Sequence, residues 1–239
     1  MTNQRSRQRT RVGRGIARDA GGGDEQRAAR VARAPKGSRK ITREARREKI
    51  LEAALDIFSS KGFEAARLDD VAKRAGVAKG TLYLYFESKE ALFEQLIMTM
   101  VAPIIAHLKS IAADGSASVP AAFEAIFGMF QNEVLGTRRR LLMRLIISEG
   151  SRFPDIAAFY YREIVSPGLR MFRSLLKRAE REGLLVNPAV SDHPQLVVAP
   201  LLMAVVWDGL FGTIEALDVG KLMRAHISSF IRLPEGKGP

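Results

Sequence analysis

From residue 41 onward, apolar side chains return every third or fourth position. Ile50, Leu51, Ala54, Ile57 and Phe58 form one such run, Leu68, Val71, Ala72 and Ala75 a second, and Ala78, Leu82, Tyr85 and Phe86 a third. That period puts each set on one face of a helix, so three short amphipathic helices are predicted within 41–90. Their limits follow from local chemistry. Thr42 is a plausible cap for the first helix, and Gly62 ends it. Asp69 and Asp70 place negative charge at the start of a helix over 68–75, and Gly76 can take the left-handed backbone that stops it. Only Gly76-Val77 then separates the second helix from the third.

Beyond residue 88 the apolar stripes lengthen. Ser88 is the expected cap of a long helix carrying Leu92, Phe93, Leu96, Ile97, Met100, Ile104, Leu108 and Ile111. Asp114-Gly115-Ser116 breaks it, and Pro120 suits the first turn of the next helix, which carries Phe123 to Val134. Gly136-Thr137 and the stretch 151–154 delimit a third, LLMRLIIS. A helix over 155–182 is expected to kink or split at Ser166-Pro167-Gly168, because proline cannot donate the helical hydrogen bond. Residues 187–194 read as a loop, 195–216 as an apolar helix and 219–231 as a short final one. No segment requires a sheet. The fold class is therefore all-α, with a three-helix N-terminal domain joined to a C-terminal helical bundle and divided as 1–40, 41–90 and 91–239.

Composition narrows the function. The chain has 239 residues, no cysteine and a formal net charge of +12. Without thiols there is no disulfide framework or thiolate metal site, and a reducing cytoplasm is the default. No stretch approaches the roughly 18 uncharged apolar residues of a membrane span, so no membrane partner is expected. Residues 1–40 hold twelve Lys and Arg against three Asp and Glu, whereas 41–90 hold ten against nine and the remainder sixteen against fourteen. The excess positive charge thus sits in an Arg-rich, Gly-containing tail with almost no large apolar residue, which is expected to be disordered. His107, His193 and His226 are too scattered to suggest a metal, and no cofactor is implied.

The third helix carries the chemistry. One face packs through Leu82 and Phe86, while the other presents Gly80, Thr81, Tyr83 and Leu84, with Lys79 at its entrance. Gly80 lets backbone approach closely, the hydroxyls can donate to phosphates, Leu84 can meet a thymine methyl, and Lys79 and Lys89 bring charge. In order and spacing, ILEAALDIF, KGFEAARLDDVAKRAGVAKGTLYLYF and SKEALF closely resemble the N-terminal domain of the tetracycline-repressor (TetR) family of bacterial regulators. Arg67 and Ala78 depart from the pattern, standing where a capping Thr or Ser and a Ser are usual. The resemblance implies a dimer that binds a palindromic double-stranded DNA operator, and a C-terminal half that encloses a small-molecule effector. Candidate DNA contacts are Arg43, Lys79, Gly80, Thr81, Tyr83, Leu84, Tyr85 and Lys89.

For the effector, Phe127, Met143, Ile146, Phe153, Met203 and Trp207 are candidates, since methionine and aromatic side chains line adaptable apolar cavities. Glu149 and Asp208 are the possible polar anchors. The helix over 195–216 is apolar nearly all round and carries Ala199, Ala204 and Gly209, so it suits a buried position against a second copy, with 170–181 as the other contributor. Two alternatives remain: an all-helical enzyme or small-molecule carrier with a helix-turn-helix-like element, and a protein that coats DNA without sequence preference. The lack of GxxxxGK[ST], GxGxxG and HExxH motifs weighs against catalysis. The charge pattern separates affinity from specificity. Deleting residues 1–40 is expected to weaken binding to all DNA and flatten its salt dependence, with the preferred sequence unchanged, as read from titrations at several salt concentrations. An altered preference would overturn this reading.

Overall fold

Ile50, Leu51, Ala54, Leu55 and Phe58 line one side of helix α1 (Lys36–Ala65) and are buried, as their spacing requires. The computed structural model describes residues 36–232, with side chains from residue 43; most of the expected tail and the C-terminal Gly/Pro stretch lie outside the described residues. The chain divides between residues 43 and 44 into two units, and apart from the start of α1 and Arg43 the features below belong to the second. Residues 36–42 already have helical backbone, so Thr42 lies inside α1 and does not cap it.

At Gly62 the helix kinks, with φ 77° and ψ 164°, a conformation that a β-carbon strongly disfavours. The kink turns Phe63 inward, where its ring centroid lies 5.5 Å from Phe58, 5.1 Å from Phe93 and 4.8 Å from Phe153. Helix α2 (Leu68–Ala75) begins at Arg67 with no side-chain cap and ends at Gly76, whose φ of 68° lets its N–H reach the carbonyls of Ala72 and Lys73. Helix α3 (Lys79–Tyr83) is only five residues long and buries Leu82.

Helix α4 (Lys89–Ala113) starts where Ser88 Oγ accepts from the Ala91 N–H at 3.0 Å. It is long and apolar enough to match a membrane span by composition, but Leu92, Phe93, Leu96, Ile97, Val101 and Ile104 are buried in the bundle. Helix α5 (Val119–Met129) runs into a π-helical turn, Phe130–Leu135, and Gly136 and Thr137 lead into α6 (Arg139–Glu149). Helix α7 (Pro154–Tyr160) runs into a second π-helical turn, Tyr161–Val165, before α8 (Ser166–Arg181). The expected disturbance at Pro167 therefore takes the form of a widened turn just ahead of the proline, where the missing N–H costs least.

Two elements differ from the sequence reading, and the last helix agrees with it to within one residue. Residues Pro188–Asp192 form a 3₁₀ turn, with the Asn187 side chain accepting from Ala189 N at 3.0 Å, where a loop was expected. Helix α9 (Gln195–Leu210) stops well short of residue 216, because the chain folds back and Trp207 Nε1 donates to the Glu215 carbonyl at 2.8 Å. Helix α10 (Val219–Phe230) ends at an isolated antiparallel bridge between Leu185 and Ile231, the one β-type pairing among the described residues.

Two large apolar cores result, with a small third cluster of Ile104, Met129 and Val134 among the described residues. The lower one joins α1 to α3 and the first half of α4 to Leu142 and Leu145 of α6 and Ile156 of α7, so the three-helix head has no separate core. The upper one joins α5, α8, α9 and α10. Gly62 is the strained point of this arrangement, and a β-carbon there would also lie 3.2 Å from Glu149 Oε1. Gly62→Ala is expected to cost about 2–3 kcal/mol in urea unfolding, against about 1 kcal/mol for Gly76→Ala, where nothing obstructs a β-carbon. Equal losses would contradict the strain assigned to Gly62.

Candidate nucleic-acid interface and internal cavity

The turn at Gly76 sets α3 across α2 and leaves one side of α3 outward. Tyr83 is 45% exposed and Leu84 78%, large values for an aromatic and an aliphatic side chain. Gly80 is exposed with open space where a β-carbon would stand, Thr81 is half-buried, and Tyr85 is half-buried against the head's core. Lys79 Nζ lies 2.8 Å from Asp69 Oδ1. The hydrogen bond to Asp69 holds the lysine's pKa above its ordinary value, so the ammonium is fully charged at neutral pH. Both partners are exposed, so an incoming phosphate can replace Asp69. Arg43 is exposed.

Lys89 is placed differently from the sequence expectation. Its Nζ donates to the carbonyls of Phe63, Glu64 and Ala66 at 2.8, 3.0 and 3.3 Å and lies 4.6 Å from the centroid of the Phe63 ring. Those carbonyls belong to the end of α1 and the residue after it, where helical partners run out. Lys89 therefore closes α1 onto α4, and its donors are engaged within the protein.

Ion pairs tie the head to the bundle. Asp56 on α1 accepts from Arg74 Nε of α2 at 2.9 Å and pairs with Arg138 at the entrance to α6. Glu64 pairs with Arg152. Burial pushes the Asp56 carboxyl up, but the hydrogen bonds and charges of Arg74 and Arg138 outweigh it and hold the group below the usual carboxylate range.

Between α4, α5, α6, α7, α8 and α9 lies a cavity of about 310 Å³. Its wall is apolar apart from Arg139 and Tyr160, and it includes both π-helical turns through Phe130, Val134, Ile164 and Val165. Of the effector candidates, Met143 and Ile146 line it. The others lie elsewhere. Phe127 is in the upper core beside Phe123, and Phe153 packs on Phe63. Glu149 adjoins Gly62 and Arg152. Met203 faces outward, Trp207 packs on Phe211, and Asp208 pairs with Arg144 and Arg140.

Comparison with known proteins decides the family. The pattern of bacterial regulatory proteins of the tetR family matches residues 50–96, and that of the AefR-like transcriptional repressor C-terminal domain matches 124–234. The HTH-type transcriptional regulator UidR of Escherichia coli (strain K12) is 35% identical over 178 residues, 73% of this chain and 84% of that protein. The chain belongs to the TetR family. A second relative, the uncharacterized HTH-type transcriptional regulator YvdT of Bacillus subtilis (strain 168), is 42% identical over 62 residues, 26% of this chain and 32% of that protein. Among solved structures, the SmeT–triclosan complex superposes with a TM-score of 0.65 at 20% identity, covering 82% of this chain and 98% of that one.

As a TetR-family protein the chain is a DNA-binding transcriptional regulator, and the enzyme alternative falls away. The sequence reading missed Arg139 and Tyr160, the two polar residues in the cavity wall. One signal was available for Tyr160: Ile156, Tyr160 and Ile164 stand four apart, which sets the tyrosine on the buried stripe of α7. The Asp56 tie has a pH signature. A carboxyl whose folded pKa is depressed contributes stability above its unfolded value, about 3.9, and loses it as pH falls through the folded value. Asp56→Asn is expected to cost about 1 kcal/mol at neutral pH, with the wild-type advantage vanishing as urea unfolding is repeated below about pH 4. A difference independent of pH would contradict the charge assignment.

Proposed function

We propose that this protein is a dimeric repressor that binds a palindromic operator inside the cell and is released by a small, largely apolar effector. The observation that carries the reading is the apolar cavity. Two of its walls, α4 and α6, also enter the core of the DNA-binding head through Leu92 to Val101 and through Leu142 and Leu145. A ligand that repositions either helix therefore displaces the head as a body. Two heads must fit half-sites about 34–36 Å apart, so a shift of a few ångströms is enough to spoil simultaneous docking. The complex of SmeT with triclosan supports a small-molecule effector.

Support for the dimer comes from α9. Leu196, Ala199, Met203 and Leu210 are exposed at spacings of three, four and seven along one face, with half-buried Val206 completing the row. Such a row fits a partner helix. On the outward side of α8 the exposed residues are charged or polar (Arg170, Arg173, Ser174, Glu180 and Arg181), which suits the rim of that contact.

On this reading the face of α3 meets DNA through Lys79, Gly80, Thr81, Tyr83 and Leu84. Arg43 and Tyr85 reach phosphates, and Lys89 acts through the position of α4. Selecting fragments from a random DNA pool with the full-length protein is expected to return a palindrome occupied by two chains, with Leu210→Glu abolishing the dimer and the cooperative binding. Lys79→Ala is expected to lower affinity for every sequence alike and to reduce the salt slope by about one. Recovery of fragments without symmetry, bound by single chains, would overturn the proposal.

A further inference from the structure

The polar groups in the cavity wall restrict what it can hold. Arg139 is the one charged residue in the lining, and two of its five N–H donors are engaged within the protein: Nε donates to the Met100 carbonyl at 2.8 Å and Nη1 to the Glu133 carbonyl at 3.1 Å. The Glu133 carboxylate, 3.9 Å from Nη1, also offsets its charge. An anion entering the cavity would lose its hydration and meet a guanidinium whose charge Glu133 already partly offsets, and a cation would find no carboxylate in the lining.

Tyr160 is the other polar residue, and it is poorly partnered. Its hydroxyl donates to Met143 Sδ at 3.2 Å, and a thioether is a weak acceptor. Burial pushes the Tyr160 phenol up to about 12, so it keeps its proton at any physiological pH and acts as a neutral donor. Both residues line the cavity.

Building on the reading of this cavity as the effector site, we propose that it selects an uncharged apolar molecule with one hydrogen-bond acceptor, a carbonyl or ether oxygen, which replaces the Met143 sulfur on the Tyr160 hydroxyl. At an interior packing density of about 0.75, the cavity accommodates on the order of fifteen non-hydrogen atoms. The exchange gives Tyr160 a stronger acceptor. It also unfastens α6 from α7, because Met143 lies on the first and Tyr160 on the second.

Three probes of similar size separate the possibilities: benzophenone, diphenylmethane and diphenylacetate, titrated calorimetrically into the full-length protein. Wild type is expected to bind the ketone about threefold to tenfold more tightly than the hydrocarbon, the range a single neutral hydrogen bond supplies, and the carboxylate least tightly. Tyr160→Phe should equalise ketone and hydrocarbon while leaving hydrocarbon affinity and thermal melting nearly unchanged. Met143→Leu, which removes the competing sulfur at almost constant volume, should widen the ketone's advantage. Equal binding of ketone and hydrocarbon by wild type would overturn the role of Tyr160 and leave the cavity as a binding site. Tightest binding of diphenylacetate would also overturn the proposal and make Arg139 the reader. No binding of any probe to the folded protein would overturn this proposal and the effector reading together.

Discussion

The structure depends on how the end of α1 is closed. Helix α1 ends in a turn that is half-buried, and its last carbonyls have no helical partner and need other donors. The Lys89 ammonium meets three carbonyls at once, in Phe63, Glu64 and Ala66, while the Phe63 ring fills the space between Phe58, Phe93 and Phe153. One residue of α4 and one aromatic after the Gly62 kink thereby join the head to the long helix and to the segment entering α7. For this reason the head and the lower bundle share one core rather than meeting across a linker.

Features set by neighbours in sequence were legible before the structure. Gly76 ends α2 and Ser88 caps α4 as read, because both depend on backbone angles and on a donor three residues away. The missing cap at Arg67 was legible for the same reason. Lys89 was not, since its acceptors lie 23 to 26 residues earlier and a lysine in a helix's first turn looks like surface charge. Among the cavity candidates, Met143 and Ile146 line the wall, while Phe153, Trp207 and Asp208 have partners that composition alone does not reveal. An all-round apolar helix such as α9 also leaves open which side faces outward. Its row from Leu196 to Leu210 becomes distinct only once Val197, Leu201, Ala204 and Val205 are seen to be buried.

Charge reinforces the apolar frame where it is weakest. Arg138 at the start of α6 pairs with Asp56 of the head, and Arg144 and Arg140 further along pair with Asp208 of α9. Helix α6 thus has ionic contacts to the head and to α9, while Met143 and Ile146 face the cavity and Leu142 and Leu145 the lower core. Partly exposed pairs of this kind add little stability singly. Their geometric effect is to fix the rotation of α6 about its axis, and so to fix which side chains face inward.

The two π-helical turns, Phe130–Leu135 and Tyr161–Val165, give the cavity an evolutionary property of its own. Each holds one residue more than an α-helical turn of the same rise, and each contributes side chains to the cavity wall. Tyr161–Val165 joins α7 to α8 without a break, so losing a single residue there would restore a regular helix through both, whereas the same loss elsewhere in α7 or α8 would rotate every following side chain away from its core. The cavity wall at this turn is therefore a place where the chain tolerates a change of length, and the width of the cavity there can change while the surrounding fold stays fixed.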